Sequence, residues 1–182
     1  MVPAHHLLEL ALVGCPDPSP TYHRFFNPQR NVLSTDLNEI GKAYIGALAR
    51  ELNQWLDRVG PKEPIGVLFS GGIDSGSVLL TLYHLMLQRG EAPQRLKAFT
   101  LDVGGAGEDA RQAQRFLDEL DLGYLLERIE VPASVISVDD AIRVLEDYKP
   151  LDVQAAAMTL ALCRGIRARY PDWKLLVDGD GG

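Results

Sequence analysis

A short loop rich in glycine and hydroxyl groups, Ser70-Gly71-Gly72-Ile73-Asp74-Ser75, has the composition of a phosphate-binding turn. It follows an apolar run, residues 65–69, that predicts a buried strand, and it precedes an amphipathic helix over about residues 75–89. Adjacent glycines let the backbone approach a ligand, and the amides at a helix N-terminus attract anions. The serines add hydroxyl donors, and the Asp74 carboxylate can hold a Mg²⁺ ion that bridges phosphate oxygens. Together these residues predict a site for pyrophosphate with Mg²⁺.

The loop differs from two other glycine-rich phosphate loops. It lacks the GxxxxGK[ST] pattern of a Walker A loop, since no lysine occurs between Glu63 and Gln94, and it lacks GxGxxG. Phosphoryl transfer of the kinase type is therefore disfavoured. A purely structural turn, with Asp74 and Ser75 as helix caps, would explain one glycine and one cap, but not both glycines, both serines and the acid together. We expect Gly72 to adopt a positive φ, so that valine there would be harmful.

Strands and helices alternate along the chain after the loop. Apolar runs predict further strands over residues 96–103, 123–131 and 173–177. Helical spacing predicts helices over residues 109–120, 138–147 and 150–170. Asp109 is expected to cap the first of these helices. This alternation is typical of an α/β fold with a doubly wound parallel sheet and helices on both faces, in which ligands gather at the carboxyl ends of the strands.

The beginning of the chain differs from the rest, and we expect residues 1–63 to form a helical arm and a helix that packs on the core. Residues 7–13 predict a short local helix that is followed by an irregular arm. A longer helix is predicted to begin at Asp36, an N-cap with Glu39 as its capping-box partner. The second part would be a ligand-binding domain over residues 64–182.

The composition restricts the class of protein. The 182 residues include 18 lysines and arginines against 25 aspartates and glutamates, a formal net charge of −7. Such a chain is a poor partner for nucleic acid, because phosphate binding needs clustered basic side chains. Cys15 and Cys163 form no CxxC motif, and no apolar run approaches the roughly 20 residues needed to span a bilayer. We expect a cytoplasmic protein that binds neither nucleic acid nor a membrane.

The loop after a hydrophobic strand resembles the pyrophosphate-binding loop of the N-type ATP pyrophosphatases. Other segments are similar to the synthetase domain of asparagine synthetases and of β-lactam synthetase. Residues 96–101 look like their second strand, Glu146-Asp147-Tyr148 with the helix after it looks like the next segment, and residues 176–181 resemble a strand ending in Ser-Gly-Glu-Gly. The resemblance covers about residues 64–182 and implies an adenine nucleotide α-hydrolase-like, Rossmann-like fold.

The resemblance also implies roles for particular residues. The pyrophosphate and its Mg²⁺ would be held by the loop residues Ser70, Gly71, Gly72, Asp74 and Ser75, with Asp74 as the metal ligand. The backbone of Phe69 and Leu101 would contact adenine, and Gly179 would lie near the ribose. Asp180 would stand in the place of the catalytic glutamate, with a side chain one methylene shorter.

Besides the shorter Asp180, three features depart from the family's pattern. Asp178 replaces a small hydroxyl residue, and Gly76 replaces the usual second serine of the loop. In the family an Asp-Glu pair, whose aspartate is a second Mg²⁺ ligand, follows the last signature, whereas this chain ends at Gly182. We expect residues 1–182 to be the front part of a longer protein, or one half of a site completed by another chain, and we expect no turnover by the isolated chain.

The activity that the resemblance implies is that of an ATP-dependent, AMP-forming ligase. Such an enzyme uses ATP and Mg²⁺ to adenylate a carboxylate, and it then transfers the acyl group to ammonia or an amine. Too few residues precede residue 65 for a glutaminase domain, so nitrogen would come as free ammonia, from an amine, or from a separate glutaminase subunit. Two alternatives remain. One is a tRNA-modifying enzyme of the same superfamily, against which the charge of −7 argues; the other is a non-catalytic nucleotide-binding module that needs a partner.

Overall fold

The computed structural model of the chain describes residues 2–10, 20–27, 29, 32, 34–105 and 107–179. The chain divides into two compact units, Met1–Lys42 and Ala43–Gly182. The strands of the described residues are β1 His6–Glu9, β2 Thr21–Arg24, β3 Ile65–Leu68, β4 Leu96–Val103, β5 Leu126–Val131 and β6 Leu175–Val177. The α-helices are α1 Leu37–Val59, α2 Ile73–Gln88, α3 Glu108–Asp118, α4 Val138–Leu145 and α5 Pro150–Arg169.

The N-terminal unit contains an antiparallel pair of strands, β1 and β2. His6 lies opposite Arg24 and Glu9 opposite Thr21. The helix predicted over residues 7–13 is therefore wrong for its described part, residues 7–10, and residues 11–13 lie outside the described residues. The prediction of an irregular arm after this helix is also wrong for Thr21–Arg24, which form β2.

Pairing between distant segments explains this difference from the predicted helix. A helix of seven residues makes few hydrogen bonds against a large nucleation cost, whereas strand pairing satisfies the backbone groups of two segments at once. A side-chain contact also joins the strands, because the ring Nε2 of His23 lies 2.6 Å from Glu9 Oε2. These partners are 14 residues apart in sequence, so local periodicity does not reveal the contact.

The helix predicted after Asp36 is confirmed as α1. The Asp36 Oδ1 accepts hydrogen bonds from the amides of Asn38 at 2.7 Å and Glu39 at 3.4 Å. The amide of Asp36 donates to Ser34 Oγ at 3.1 Å. Asp36 therefore caps the helix as predicted, while Ser34 takes the part in the capping box that was expected of Glu39.

The strands β3 to β6 form one sheet of four parallel strands in the order β5-β4-β3-β6. Ile65 of β3 pairs in register with Leu96 of β4 and Leu175 of β6. The pairing continues past the end of β3, because the Phe69 amide donates to the Phe99 carbonyl at 2.8 Å. The predicted α/β fold with a parallel sheet is confirmed.

Helices cover both faces of this sheet, as predicted. On one face, α1, α2 and α3 pack fully buried side chains against β3 and β4: Leu56, Leu79, Leu82, Met86 and Leu117. On the other face, α5 packs Leu162 and Ile166 against Phe99 of β4 and Ile129 of β5. The helix α4 lies against α5. Of the helices in the described residues, none is long and apolar enough to cross a membrane.

The strands of the sheet begin and end near their predicted limits. The bounds of β4 are those predicted, residues 96–103. The strand β5 begins later than predicted, because Gly123–Leu125 form a short 3-10 turn. The strand β6 is shorter than residues 173–177, because Trp173 packs its ring against Phe99, with ring centroids 5.0 Å apart.

Candidate functional site

The carboxyl ends of β3, β4 and β6 open into a cavity of about 500 Å³. Its walls are the loop after β3, the first turns of α2 and α3, one side of α5 and the residues after β6. Most of the residues that the sequence indicated for a nucleotide line this cavity together: Phe69, Ser70, Gly72, Asp74, Ser75, Leu101 and Gly179. Gly71 is not among the lining residues, and Asp180 lies outside the described residues. The structure thus brings three separate parts of the chain to one edge of the sheet.

The turn after β3 depends on Gly71. Its φ is +80°, and a Cβ there would lie only 2.8 Å from the backbone nitrogen of Ala113 in α3. The Gly71 carbonyl also accepts a hydrogen bond from Gln112 Nε2 at 3.0 Å. Gly72 has a φ of −79°, so the expectation of a positive φ at Gly72 is wrong. The left-handed residue is Gly71, because the chain turns there to pass against α3.

Two hydroxyl groups lie close together beside the N-terminus of α2. The Gly72 amide donates to Ser70 Oγ at 3.3 Å, and the Ser70 and Ser75 hydroxyl oxygens are 3.4 Å apart. Gly72 is the N-cap of α2, and within the described residues no side chain caps this helix. The amides of the first helical turn therefore remain available to an anion, at the positive end of the helix dipole.

Acidic side chains dominate the charge of the cavity. Asp74, Glu108, Asp109 and Asp178 line it, and the described lining residues include no lysine or arginine. A polyphosphate would meet repulsion from these carboxylates unless a cation accompanied it. Among the described residues, no three histidine, cysteine, aspartate or glutamate side chains converge to hold a metal ion. Because Mg²⁺ commonly takes one or two carboxylates and completes its shell with phosphate oxygens and water, the cavity suits Mg²⁺ that arrives with phosphate.

A buried carboxylate holds the start of α3 at the rim of the cavity. Asp102 is only 2% exposed; it accepts a hydrogen bond from the Gly107 amide at 2.9 Å and pairs with Arg128. The Gly107 N–H, and then the Arg128 guanidinium, hold the pKa of Asp102 below its ordinary value. The carboxylate is therefore ionised at neutral pH and fixes the backbone that leads into α3.

The prediction that Asp109 caps α3 is wrong. Gly107 is the N-cap, and Glu108 and Asp109 both lie in the first turn of the helix. The difference arises because the Asp102 carboxylate anchors Gly107, so the helix begins before Asp109 could act as cap. The displaced Asp109 side chain instead lines the cavity.

We expect Asp102→Asn to destabilise the protein by about 1 to 2 kcal/mol at pH 7, since it removes a charged hydrogen bond to Arg128. A carboxyl whose pKa is lowered by folding stabilises fully above its ordinary pKa of 3.8, and this contribution is lost as the pH falls through the folded pKa. In urea unfolding, the difference between wild type and variant should stay constant from pH 7 to 5 and shrink below about 3.8.

The matched control for this substitution is Asp118→Asn, which changes an exposed carboxylate on α3. It should alter the free energy of unfolding by less than about 0.5 kcal/mol. An equal loss in both variants, or a difference that grows as the pH falls, would contradict the role assigned to Asp102.

The end of β6 touches the first turn of α2. A Cβ on Gly179 would lie 2.6 Å from the backbone nitrogen of Ser75 and 2.8 Å from its Cα. The Gly179 amide donates a hydrogen bond to Asp178 Oδ1 at 2.7 Å. This bond holds the Asp178 side chain against the backbone of Gly179, and both residues line the cavity. The close backbone approach places residues after β6 in the same wall as the phosphate-loop residues.

Two residues that the sequence did not indicate also contribute to the site. Thr100 of β4 lines the cavity, and Gln112 of α3 holds the carbonyl of Gly71. A threonine inside an apolar buried strand is a signal that could have been noticed, whereas Gln112 carries no local signal. Gly76, where the family has a serine, lies against Phe116 rather than in the cavity lining. That replacement therefore lies outside the residues that line the cavity.

The fold is that of an α/β protein with a cavity at the carboxyl ends of parallel strands, where ligands of such folds bind. Residues 49–182, well over half of the chain, match the asparagine synthase family, and the chain belongs to this family. It is a family of ATP-dependent amide-forming ligases that use ATP as a substrate. A search of curated proteins found no match.

Proposed function

We propose that this protein is an ATP-dependent, AMP-forming ligase of asparagine synthetase type, working in the cytoplasm. It adenylates a carboxylate and transfers the acyl group to ammonia or an amine. The observation that carries the proposal is the meeting, in one cavity of a family member, of the uncapped N-terminus of α2, the hydroxyls of Ser70 and Ser75, and the carboxylate of Asp74. This set matches what pyrophosphate with a divalent cation needs.

The cavity also has room and lining for the nucleoside of ATP. Its volume of about 500 Å³ falls within the usual range for small-molecule sites. The backbone of Phe69, the residue after β3, and of Leu101 on the adjacent strand β4 would contact adenine, while Gly179 would lie near the ribose. The apolar side chains of Met158 and Leu162 from α5 line the same cavity and exclude water from a bound base.

The loop residues would position the phosphates and orient the leaving group. The substrate carboxylate attacks the α-phosphorus, the bond from that phosphorus to the bridging oxygen breaks, and pyrophosphate leaves with the electron pair. The α2 amides and the hydroxyls of Ser70 and Ser75 donate hydrogen bonds to the departing oxygens. Asp74 would hold a Mg²⁺ ion, which would supply the charge neutralisation that the acidic cavity lacks.

The second half-reaction forms the amide. The nitrogen attacks the acyl carbon, AMP leaves with the electron pair, and the nitrogen loses a proton. We propose Asp180 as the catalytic group that receives this proton. Nitrogen would reach the site as free ammonia or an amine, or from a separate glutaminase chain.

The test of this function begins with ATP titrations of the full chain by calorimetry, with Mg²⁺ and with EDTA. We expect Mg²⁺ to strengthen ATP binding, because the lining carries four carboxylates. Asp74→Ala should weaken Mg²⁺-ATP binding about tenfold and leave Mg²⁺-free binding unchanged or stronger, since it removes both a metal ligand and a negative charge. The exposed carboxylate variant Asp118→Ala is the control and should bind as the wild type does.

ATP–pyrophosphate exchange, screened against amino and carboxylic acids with and without a candidate partner chain, then tests the chemistry. Exchange that depends on one acid identifies the substrate. ATP binding without exchange under any condition would favour a nucleotide-binding module. Absent ATP binding, or Mg²⁺-ATP binding by Asp74→Ala that equals that of wild type, would contradict the proposed site.

A further inference from the structure

Thr100 of β4 has a hydroxyl that the folded chain does not satisfy. The residue is only 1% exposed, and its Oγ1 has no hydrogen-bond partner among the described residues. Thr100 nevertheless lines the cavity. A buried hydroxyl without a partner destabilises the folded state, so its retention beside a ligand cavity points to a partner that comes with the ligand.

Strand alternation places this hydroxyl on the side of the sheet that carries the phosphate loop. Ala98, two residues before Thr100, belongs to the buried cluster with α2 and α3. Phe99 and Leu101 belong to the cluster with α5 on the opposite face. Because residues i and i+2 of a strand share a face, the Thr100 side chain lies on the α2 side. In register, Thr100 follows the pairing of Leu68 with Phe99, next to the start of the loop.

We propose that the Thr100 hydroxyl donates a hydrogen bond to the phosphate end of the bound nucleotide and is a positioning residue for it. This inference rests on the proposed function, which puts the pyrophosphate of ATP against the loop. Phosphate oxygens only accept hydrogen bonds, and a threonine hydroxyl can donate one. The described lining has no lysine or arginine, so neutral donors such as Thr100 and the α2 amides must supply the contacts.

The test compares Thr100→Val, which replaces the hydroxyl by a methyl group, with Thr100→Ser, which keeps the hydroxyl. The control is Thr81→Val, a buried threonine of α2 outside the cavity lining. The probes are Mg²⁺-pyrophosphate and Mg²⁺-ATP, titrated by calorimetry into each full chain. We expect Thr100→Val to weaken both probes about tenfold, and Thr100→Ser and Thr81→Val to stay within about twofold of wild type.

Thermal unfolding without ligand separates this role from a structural one. Since the hydroxyl has no partner to lose, the Tm of Thr100→Val should equal or exceed that of wild type. A Tm that falls further in Thr100→Val than in Thr100→Ser would show that the hydroxyl has a partner in the fold, and would overturn the proposal.

The binding outcomes are equally decisive. Unchanged affinity of Thr100→Val for both probes would overturn the proposal, and weaker ATP binding with unchanged pyrophosphate binding would overturn the assignment to the phosphate end. If wild type bound neither probe, the proposed function itself would fail. That result can be told apart from failure of the Thr100 proposal, in which wild type binds the probes and only the affinities of the variants decide.

Discussion

Gly71→Ala is expected to abolish measurable Mg²⁺-ATP binding, with a loss of at least about 100-fold, whereas Gly72→Ala should cost no more than a few-fold. Gly71 has a φ of +80°, and a Cβ there would lie 2.8 Å from the nitrogen and 3.0 Å from the Cα of Ala113. Those are backbone atoms of α3 and cannot rotate away. Gly72 has a φ of −79°, and the nearest atom to its added Cβ is Ser70 Oγ at 3.3 Å.

Gly71→Ala and Gly72→Ala should also differ in their free energy of unfolding. A left-handed φ costs a residue with a Cβ about 1 to 2 kcal/mol, and the contact with α3 adds a packing cost, so Gly71→Ala should lose about 2 to 4 kcal/mol. Gly72→Ala should lose less than about 1 kcal/mol. Urea unfolding and calorimetry on the two proteins provide both readouts, with circular dichroism to show that each is folded. A larger effect from Gly72 in either measurement would mean that the turn is not the one described.

This pair also shows where reasoning from the sequence stops. Two adjacent glycines between a strand and a helix indicated a phosphate turn, and the structure places such a turn at the cavity. Which glycine is left-handed depends on where the chain passes α3, and the Gln112 side chain that fixes it comes 41 residues after Gly71. No local pattern carries that information, so the predicted positive φ fell on the wrong glycine.

The sheet could be predicted because its strands carry their own signal. The run at residues 65–69 has no polar side chain, and the run at residues 96–103 keeps five apolar residues around Lys97, Thr100 and Asp102, as expected of strands that helices cover on both faces. The strands β1 and β2 carry no such signal, because each has only four residues, β2 is exposed throughout, and each depends on its partner. Local apolar content was read as a helix there, since antiparallel pairing is a contact between segments.

The candidate site likewise contains residues that could be predicted from the sequence and residues that could not. Residues of the loop and the ends of β4 and β6 could be predicted, because ligand sites in parallel sheets lie at the carboxyl ends of strands. The cavity wall formed by α5 could not be predicted, because it depends on how that helix packs on the face of the sheet opposite α2. The Asp102 carboxylate, which pairs with Arg128 26 positions away, also accepts a hydrogen bond from the Gly107 amide. Gly107 is therefore the N-cap of α3, and Asp109 lines the cavity instead of capping the helix.

Gly179→Ala should be the second severe substitution, although it lies more than 100 residues from the loop in sequence. The Cβ would stand 2.6 Å from the Ser75 nitrogen, 2.8 Å from the Ser75 Cα and 2.9 Å from the Asp74 carbonyl carbon. All three are backbone atoms in the first turn of α2, the turn whose uncapped amides we propose as phosphate donors. Relief of the contact requires either this turn or the end of β6 to move, so the phosphate donors and the adjoining wall can no longer face one ligand.

We expect Gly179→Ala to weaken Mg²⁺-ATP binding by about 30-fold or more and to destabilise the protein by about 1 to 3 kcal/mol, the usual range for overpacking. Gly46→Ala on α1 is the matched control, because the nearest atom to its Cβ is the flexible end of Arg50 at 3.7 Å. An alanine in a helix should leave binding unchanged and add up to about 1 kcal/mol of stability. Calorimetry and urea unfolding measure both quantities. If Gly179→Ala bound Mg²⁺-ATP as wild type does, the residues after β6 could not form a wall of the nucleotide site, and the ribose contact proposed for Gly179 would be lost with it.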